Sequence, residues 1–199
     1  MTCPPQTLPH IAHTTTNASL FTLTPPAMDS RLLHPLLSYS QHAIIPGSCC
    51  PILWDLRESP ESALHIDNPD KQLSLNDLTQ FATTPPCQIL RIICDAFPEP
   101  WPIVVRRAEG ITVGDVLQTI HSVANSRIIQ DEWDRIGEKQ RGRIGDVFDN
   151  RCMMSMQREE CRANGVLRVD CLLYHTLFAG LSPSFDEDDS FILTLRRPQ

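Results

Sequence analysis

Asp55, Arg151, Arg168 and Asp170 are the residues whose positions most invite chemistry. Each lies in or beside an apolar run, as in Ile52-Leu53-Trp54-Asp55-Leu56 and Val166-Leu167-Arg168-Val169-Asp170-Cys171-Leu172. A charge withdrawn from water without a partner is costly, so partnering among the four is expected. The preferred reading is a structural ion-pair network. The second is a polar ligand pocket near Asp55, Arg151 and Asp170, because perturbed charges also gather at binding sites.

Other constellations are weaker. A nucleophilic enzyme sets a serine or cysteine against a histidine that a carboxylate holds in place. His65, His121 and His175 could serve as bases, and Gly180-Leu181-Ser182-Pro183-Ser184 comes nearest to a nucleophile elbow. It lacks the closing glycine, and Pro183 removes an N–H that an oxyanion hole would use, so a turn is the better account. The eight cysteines contain no Cys-x-x-Cys knuckle. Cys152, Cys161 and Cys171 are too widely spaced for a motif and read as small buried apolar residues. His10 and His13 fall in a stretch without core-forming residues, so no metal site and no cofactor are implied. Gly137 to Arg143 has the glycines of a phosphate loop but not its Lys-Ser/Thr ending. Its basic residues alternate with Asp131, Glu132, Asp134 and Glu138, the pattern of ion pairs on a helix surface. Thr24-Pro25, Ser59-Pro60, Thr84-Pro85 and Ser182-Pro183 suit proline-directed phosphorylation, though such dipeptides are ordinary turn chemistry too.

The elements that must position these residues begin after residue 30. Residues 1 to 30 hold nine serines and threonines, five prolines, one acid and no lysine or arginine. Without periodicity or bulk they are expected to stay disordered, and Met28 is a second candidate for the initiating methionine. Strands are expected at Ile52 to Leu56, Ile89 to Cys94 and Ile103 to Arg106, the last two as a hairpin-like unit around the stiff Pro98-Glu99-Pro100-Trp101-Pro102 bend. Leu73 to Phe81 reads as a short ordered segment capped by Ser74 or Asn76. Thr112 opens a helix whose Val113, Val116, Leu117, Ile120, Val123 and Ala124 share one face. A second helical pattern runs from Ile129 through Trp133, Ile136, Ile144, Val147 and Phe148 toward Met156, with Gly137, Gly142 and Gly145 as places where it could break. Strand-like alternation returns at Val166 to Leu172 and at Phe191 to Arg196, with Phe185 to Asp189 as an acidic loop between them. The fold class that follows is α+β: a mainly antiparallel sheet with two principal helices packed on one face, in a single domain over residues 31–199 behind the tail.

The ordered part resembles a domain family of unknown function that is widespread in mushroom-forming (basidiomycete) fungi. The resemblance rests on His34-Pro35-Leu36, Trp54-Asp55-Leu56, Ala82-Thr83-Thr84-Pro85-Pro86, Pro100-Trp101-Pro102-Ile103-Val104-Val105, Gly110-Ile111-Thr112-Val113-Gly114-Asp115-Val116-Leu117, and Gly165 to Leu172 followed by Phe178-Ala179-Gly180-Leu181. It implies a fold and a fungal source, but no activity, substrate or catalytic residue. Cys171 stands where an aromatic residue is usual in the family, which argues against a thiol role for it.

A formal net charge of -7 disfavours sequence-independent binding to phosphate backbones. Nucleic-acid binding survives only if Arg106, Arg107 and the helix arginines form one basic face. No run is long and apolar enough to span a membrane, no signal peptide is apparent, and thiols in a chain of this size are expected to be reduced. These features suggest an intracellular protein, cytoplasmic or nuclear. The leading functional expectation is a non-catalytic protein-interaction domain, the alternative a small-molecule binder or small enzyme. Trp101 and Trp133 are the interface candidates, with core packing as the preferred explanation for both.

Overall fold

In the computed structural model, which describes residues 31–40, 50–184 and 190–198, strands come first, helices follow, and two strands close the chain. Strands β1 (Leu32–Leu33), β2 (Ile52–Leu53), β3 (Leu64–His65) and β4 (Asn68–Gln72) lead to the short helix α1 (Leu75–Thr79). Strands β5 (Thr83–Thr84), β6 (Ile89–Ile93) and β7 (Ile103–Arg106) precede helices α2 (Val113–Ala124), α3 (Gln130–Arg135), α4 (Glu138–Met154) and α5 (Arg158–Asn164). A 3-10 turn at Arg168–Leu172, β8 (Leu177–Pro183) and β9 (Ser190–Arg196) complete the order. The expectations for residues 1 to 30, including His10, His13, Thr24 and Met28, and for the acidic segment Phe185 to Asp189 lie outside the described residues.

Alternation builds the main sheet, whose strand order is β7-β6-β9-β8. Leu90 and Ile92 of β6 point inward opposite Val105 and Ile103 of β7, while Arg91 between them faces water. The β6–β7 and β8–β9 pairs are antiparallel and β6–β9 is parallel. Two smaller antiparallel sheets, β1-β5 and β2-β3-β4, flank it. The fold class is therefore α+β, as the pattern of apolar runs implies.

Helix α2 packs on β7. Its Val113, Val116, Leu117, Ile120 and Ala124 are all buried, a stripe at helical spacing. Thr112 accepts from the Asp115 amide, and Asp115 accepts from the Thr112 amide, a reciprocal cap that fixes where the helix starts. The same device, Ser74 with Asp77, starts α1, which selects Ser74 over Asn76. Helix α4 packs on α5 and on the 3-10 turn; of its residues only Ile144 and Cys152 are buried. Trp54, 2% exposed, meets Phe178 and His121 at the centre of the core. The compact unit that holds every described residue starts at Arg31.

Two local expectations are corrected, and one left open is decided. Val166 to Leu172 is not a strand. Val169 and Leu172, three apart, are both buried, a spacing that serves a 3-10 turn as well as alternation serves a strand, and Asp170 folds back to accept from the Leu167 amide at 2.8 Å. Of the three glycines at which the long helical pattern could break, Gly137 is the one: extended backbone at Ile136–Gly137 separates α3 from α4, while Gly142 and Gly145 stay helical. Gly180 to Pro183 is strand rather than turn. Gly180, at φ 116, sits at a register shift where a Cβ would lie 2.7 Å from the Tyr39 backbone, and the 37–39 segment crosses there, hydrogen-bonding Leu181 on both sides.

Candidate functional site

Arg151 reaches from the last turn of α4 to the 3-10 turn. Its Nε and Nη2 donate to the two Asp170 oxygens at 2.8 Å each, Nη2 also donates to the Gly165 carbonyl, and Nη1 to Cys161 Sγ. Asp170 is 2% exposed. Its hydrogen bonds hold the Arg151 guanidinium above its ordinary pKa. All three guanidinium nitrogens are engaged, and both Asp170 oxygens accept from Arg151 while one also accepts from Leu167. Such a pair fixes α4 against the turn and leaves little for a ligand to take.

The other two candidates find partners elsewhere. Asp55 accepts a two-pronged bond from Arg57 and a third from the Thr176 hydroxyl. Burial pushes the Asp55 carboxyl up, but these donors outweigh it and hold the group below its ordinary pKa. Arg168 donates to Glu132 at 2.8 Å and lies 4.7 Å over the Trp101 ring. Burial likewise raises Glu132, and the Ile129 amide and Arg168 bring it below normal. Of the four charges singled out, then, only Arg151 and Asp170 meet.

A cleft of about 490 Å³ runs beside this pair, lined in part by Arg57, Glu58, Asn150, Met154 and Tyr174. Asp55 reaches this cleft only through Arg57, which it holds by the two-pronged bond. The remaining enzyme candidates are dispersed. His65 lies against Asp77, His121 against Trp54, and His175 accepts from Arg197. Burial lowers the His121 pKa. Arg107, Arg135 and Arg141 are each set against an acid, at Asp115, Glu99 and Asp134, so these arginines make no continuous positive face.

A second, open groove of about 610 Å³ is lined by the α2–α3 connection, α4 and α5, and the Arg151 guanidinium lies 5.4 Å over its Phe148 ring. Arg127-Ile128-Ile129 is extended here: the Ile128 amide donates to the Val166 carbonyl, and the Arg168 amide to that of Ser126. Extended backbone alternates its side chains, so Ile128 is buried while Arg127 and Ile129 face out, Ile129 being 59% exposed. Half-buried Trp133 and Phe148 supply aromatic wall, and Arg162 a second cation. Arg162 is paired with Asp149 in a solvent-exposed bridge. Arg127 has no carboxylate at ion-pair distance among the described residues. Gly165, at φ 74, lets the Arg127 guanidinium lie close; a Cβ there would be 3.1 Å from its Nε.

The two tryptophans divide accordingly. Trp101 is 6% exposed and stacks edge-on against Phe97, which removes it from any surface. Its indole N–H makes no complete hydrogen bond, yet it adds to the favourable setting of ionised Glu132. Trp133 lines the groove. Sequence reasoning missed Arg127, Ile129, Phe148, Arg162 and Gly165; the available signal was the alternation across Arg127-Ile128-Ile129, hidden by its adjacency to a helical pattern.

Fold and site together describe an α+β domain whose withdrawn charges cancel in pairs, with an apolar groove left open beside an uncancelled arginine. The chain belongs to the family of unknown function DUF6699, whose profile matches residues 52–190. Neither the curated proteins nor the solved structures contain a match to it. Among the described residues no helix is long and apolar enough to cross a membrane, and no group of three or more His, Cys, Asp or Glu side chains converges to hold a metal.

Proposed function

We propose that this protein is a non-catalytic interaction domain, and that the groove between Arg127, Ile129, Trp133 and Phe148 receives a short segment of another protein in which an acidic residue neighbours an apolar anchor. The observation that carries the reading is Arg127, a cation without a carboxylate partner beside an exposed isoleucine and two half-buried aromatic rings. An apolar wall favours burial of an aliphatic or aromatic side chain, and the guanidinium selects a neighbouring carboxylate by a forked bond. The rival small-molecule reading at Arg151 and Asp170 is weakened because those charges already satisfy each other. An intracellular setting, cytoplasmic or nuclear, belongs to the same reading, supported by six cysteines held outside disulfides among the described residues. The earlier resemblance supports a fungal source.

Selection from a displayed peptide library tests this. Peptides carrying an acid next to an aromatic or aliphatic residue should emerge, and both Arg127→Glu and Ile129→Asp should weaken their binding at least about tenfold, roughly 1.4 kcal/mol. Selected peptides indifferent to both changes would remove the groove from consideration.

A further inference from the structure

We propose that Cys152 and Cys161 form a dithiol that hydrogen peroxide converts to an intramolecular disulfide. Cys152 lies in the last turns of α4 and Cys161 within α5, and the chain reversal at Ser155–Gln157 turns both sulfurs into the seam between the two helices. Their Sγ atoms are 3.0 Å apart. A disulfide requires about 2.05 Å, so closure asks for a movement of only about 1 Å, within reach of small side-chain rotations.

The surroundings give the two thiols different parts. Cys161 is 9% exposed and accepts from Arg151 Nη1 at 3.0 Å, whereas Cys152 is 1% exposed. The cation is thus directed at Cys161, the more exposed of the two sulfurs, and not at Cys152. Cys161, more exposed and touched by the guanidinium, is the sulfur that meets the oxidant, while burial pushes the Cys152 thiol up to about 11. The Cys161 thiolate attacks one peroxide oxygen, the O–O bond breaks, and hydroxide leaves, which gives a sulfenic acid. Cys152 then attacks that sulfur, the S–O bond breaks, and the hydroxyl departs as water with the Cys152 proton. Two thiols and one peroxide thus yield one disulfide and two waters, the two electrons passing from sulfur to peroxide oxygen. Packing as small apolar residues, the expectation from sequence, does not account for a cation directed at one of two touching sulfurs.

The test uses the full chain, folded, treated with hydrogen peroxide, then denatured and blocked with N-ethylmaleimide before intact-mass and peptide analysis. Cys152 and Cys161 should lose their labels together, in one cross-linked peptide that has lost two hydrogens, and dithiothreitol should restore both. Cys94 and Cys171, pushed up by burial to about 11 and about 12, should keep theirs. In Cys152→Ser, peroxide should leave Cys161 as a sulfenic acid that dimedone traps. Full labelling of Cys152 and Cys161 after oxidation, separate oxidation of each without a bridge, or a bridge found only in chain that has lost its near-ultraviolet circular dichroism would each overturn the proposal. The wild-type map decides the matter even if the variant does not fold.

Discussion

Replacing Arg151 by leucine should be among the most damaging single changes outside the apolar core. The substitution removes both charge-assisted bonds to Asp170 and leaves a carboxylate that is 2% exposed facing a hydrocarbon side chain. Breaking a buried pair from one side costs about 3–5 kcal/mol, chiefly because the surviving charge is stranded. The Arg151 side chain is itself 22% exposed, which admits some water and places the expected loss near the lower end, about 3 kcal/mol. Urea unfolding followed by circular dichroism reads this as a fall in midpoint at unchanged slope. Adding Asp170→Asn should recover more than half of the loss, since the amide is neutral and its oxygen can still accept from Leu167. A coupling of that size between the two positions is the mark of a direct pair. If Arg151→Leu lies within about 0.5 kcal/mol of wild type, a value typical of surface sites, the pair is not the lock described and its charges are free for a ligand.

Other outcomes follow from the same geometry. Thr112→Ala should cost about 1 kcal/mol by removing the hydroxyl that caps α2, measurable as a lower urea midpoint. Gly180→Ala should cost about 2 kcal/mol or more, because φ 116 disfavours any side chain and the new Cβ meets the Tyr39 backbone; thermal unfolding reads it. The Ser74 hydroxyl and amide, with His65, hold Asp77 down from 3.8 to about 2. Its depressed folded value means its contribution is whole above the unfolded value of 3.8 and is lost as pH falls toward about 2. Asp77→Asn should accordingly flatten the acid limb of the stability curve in that window, and an unchanged limb would contradict the assignment.

Much of the fold was legible because burial on one side imposes a period. Ile103–Arg106 falls where alternation puts it, and α2 begins at its Thr–Asp cap and ends at Ala124, where the apolar stripe stops. What failed did so where two periods coincide or where tertiary contact decides. Val169 and Cys171 suit alternation, yet Val169 and Leu172 equally suit a tight turn, and a long-range bond from Arg151 goes with the turn. Gly180 to Pro183 carries turn residues, but the crossing 37–39 segment, distant in sequence, holds it as strand. The site was half visible. Burial in apolar runs marked Asp55, Arg151, Arg168 and Asp170 as needing partners, but not that Arg57 and Glu132 would supply two of them. Arg127 escaped because a lone arginine becomes informative only once its surroundings lack an acid.

Amide chemical-shift mapping of a library-selected peptide separates the two sites: the withdrawn charges serve the fold, and recognition belongs to the Arg127 groove. Shifts should concentrate at residues 127–133, at Phe148 and at residues 162–166, with Arg57, Asn150 and Tyr174 unmoved. Shifts centred instead on Arg57, Arg151, Asp170 and Tyr174, with the groove silent, would contradict it.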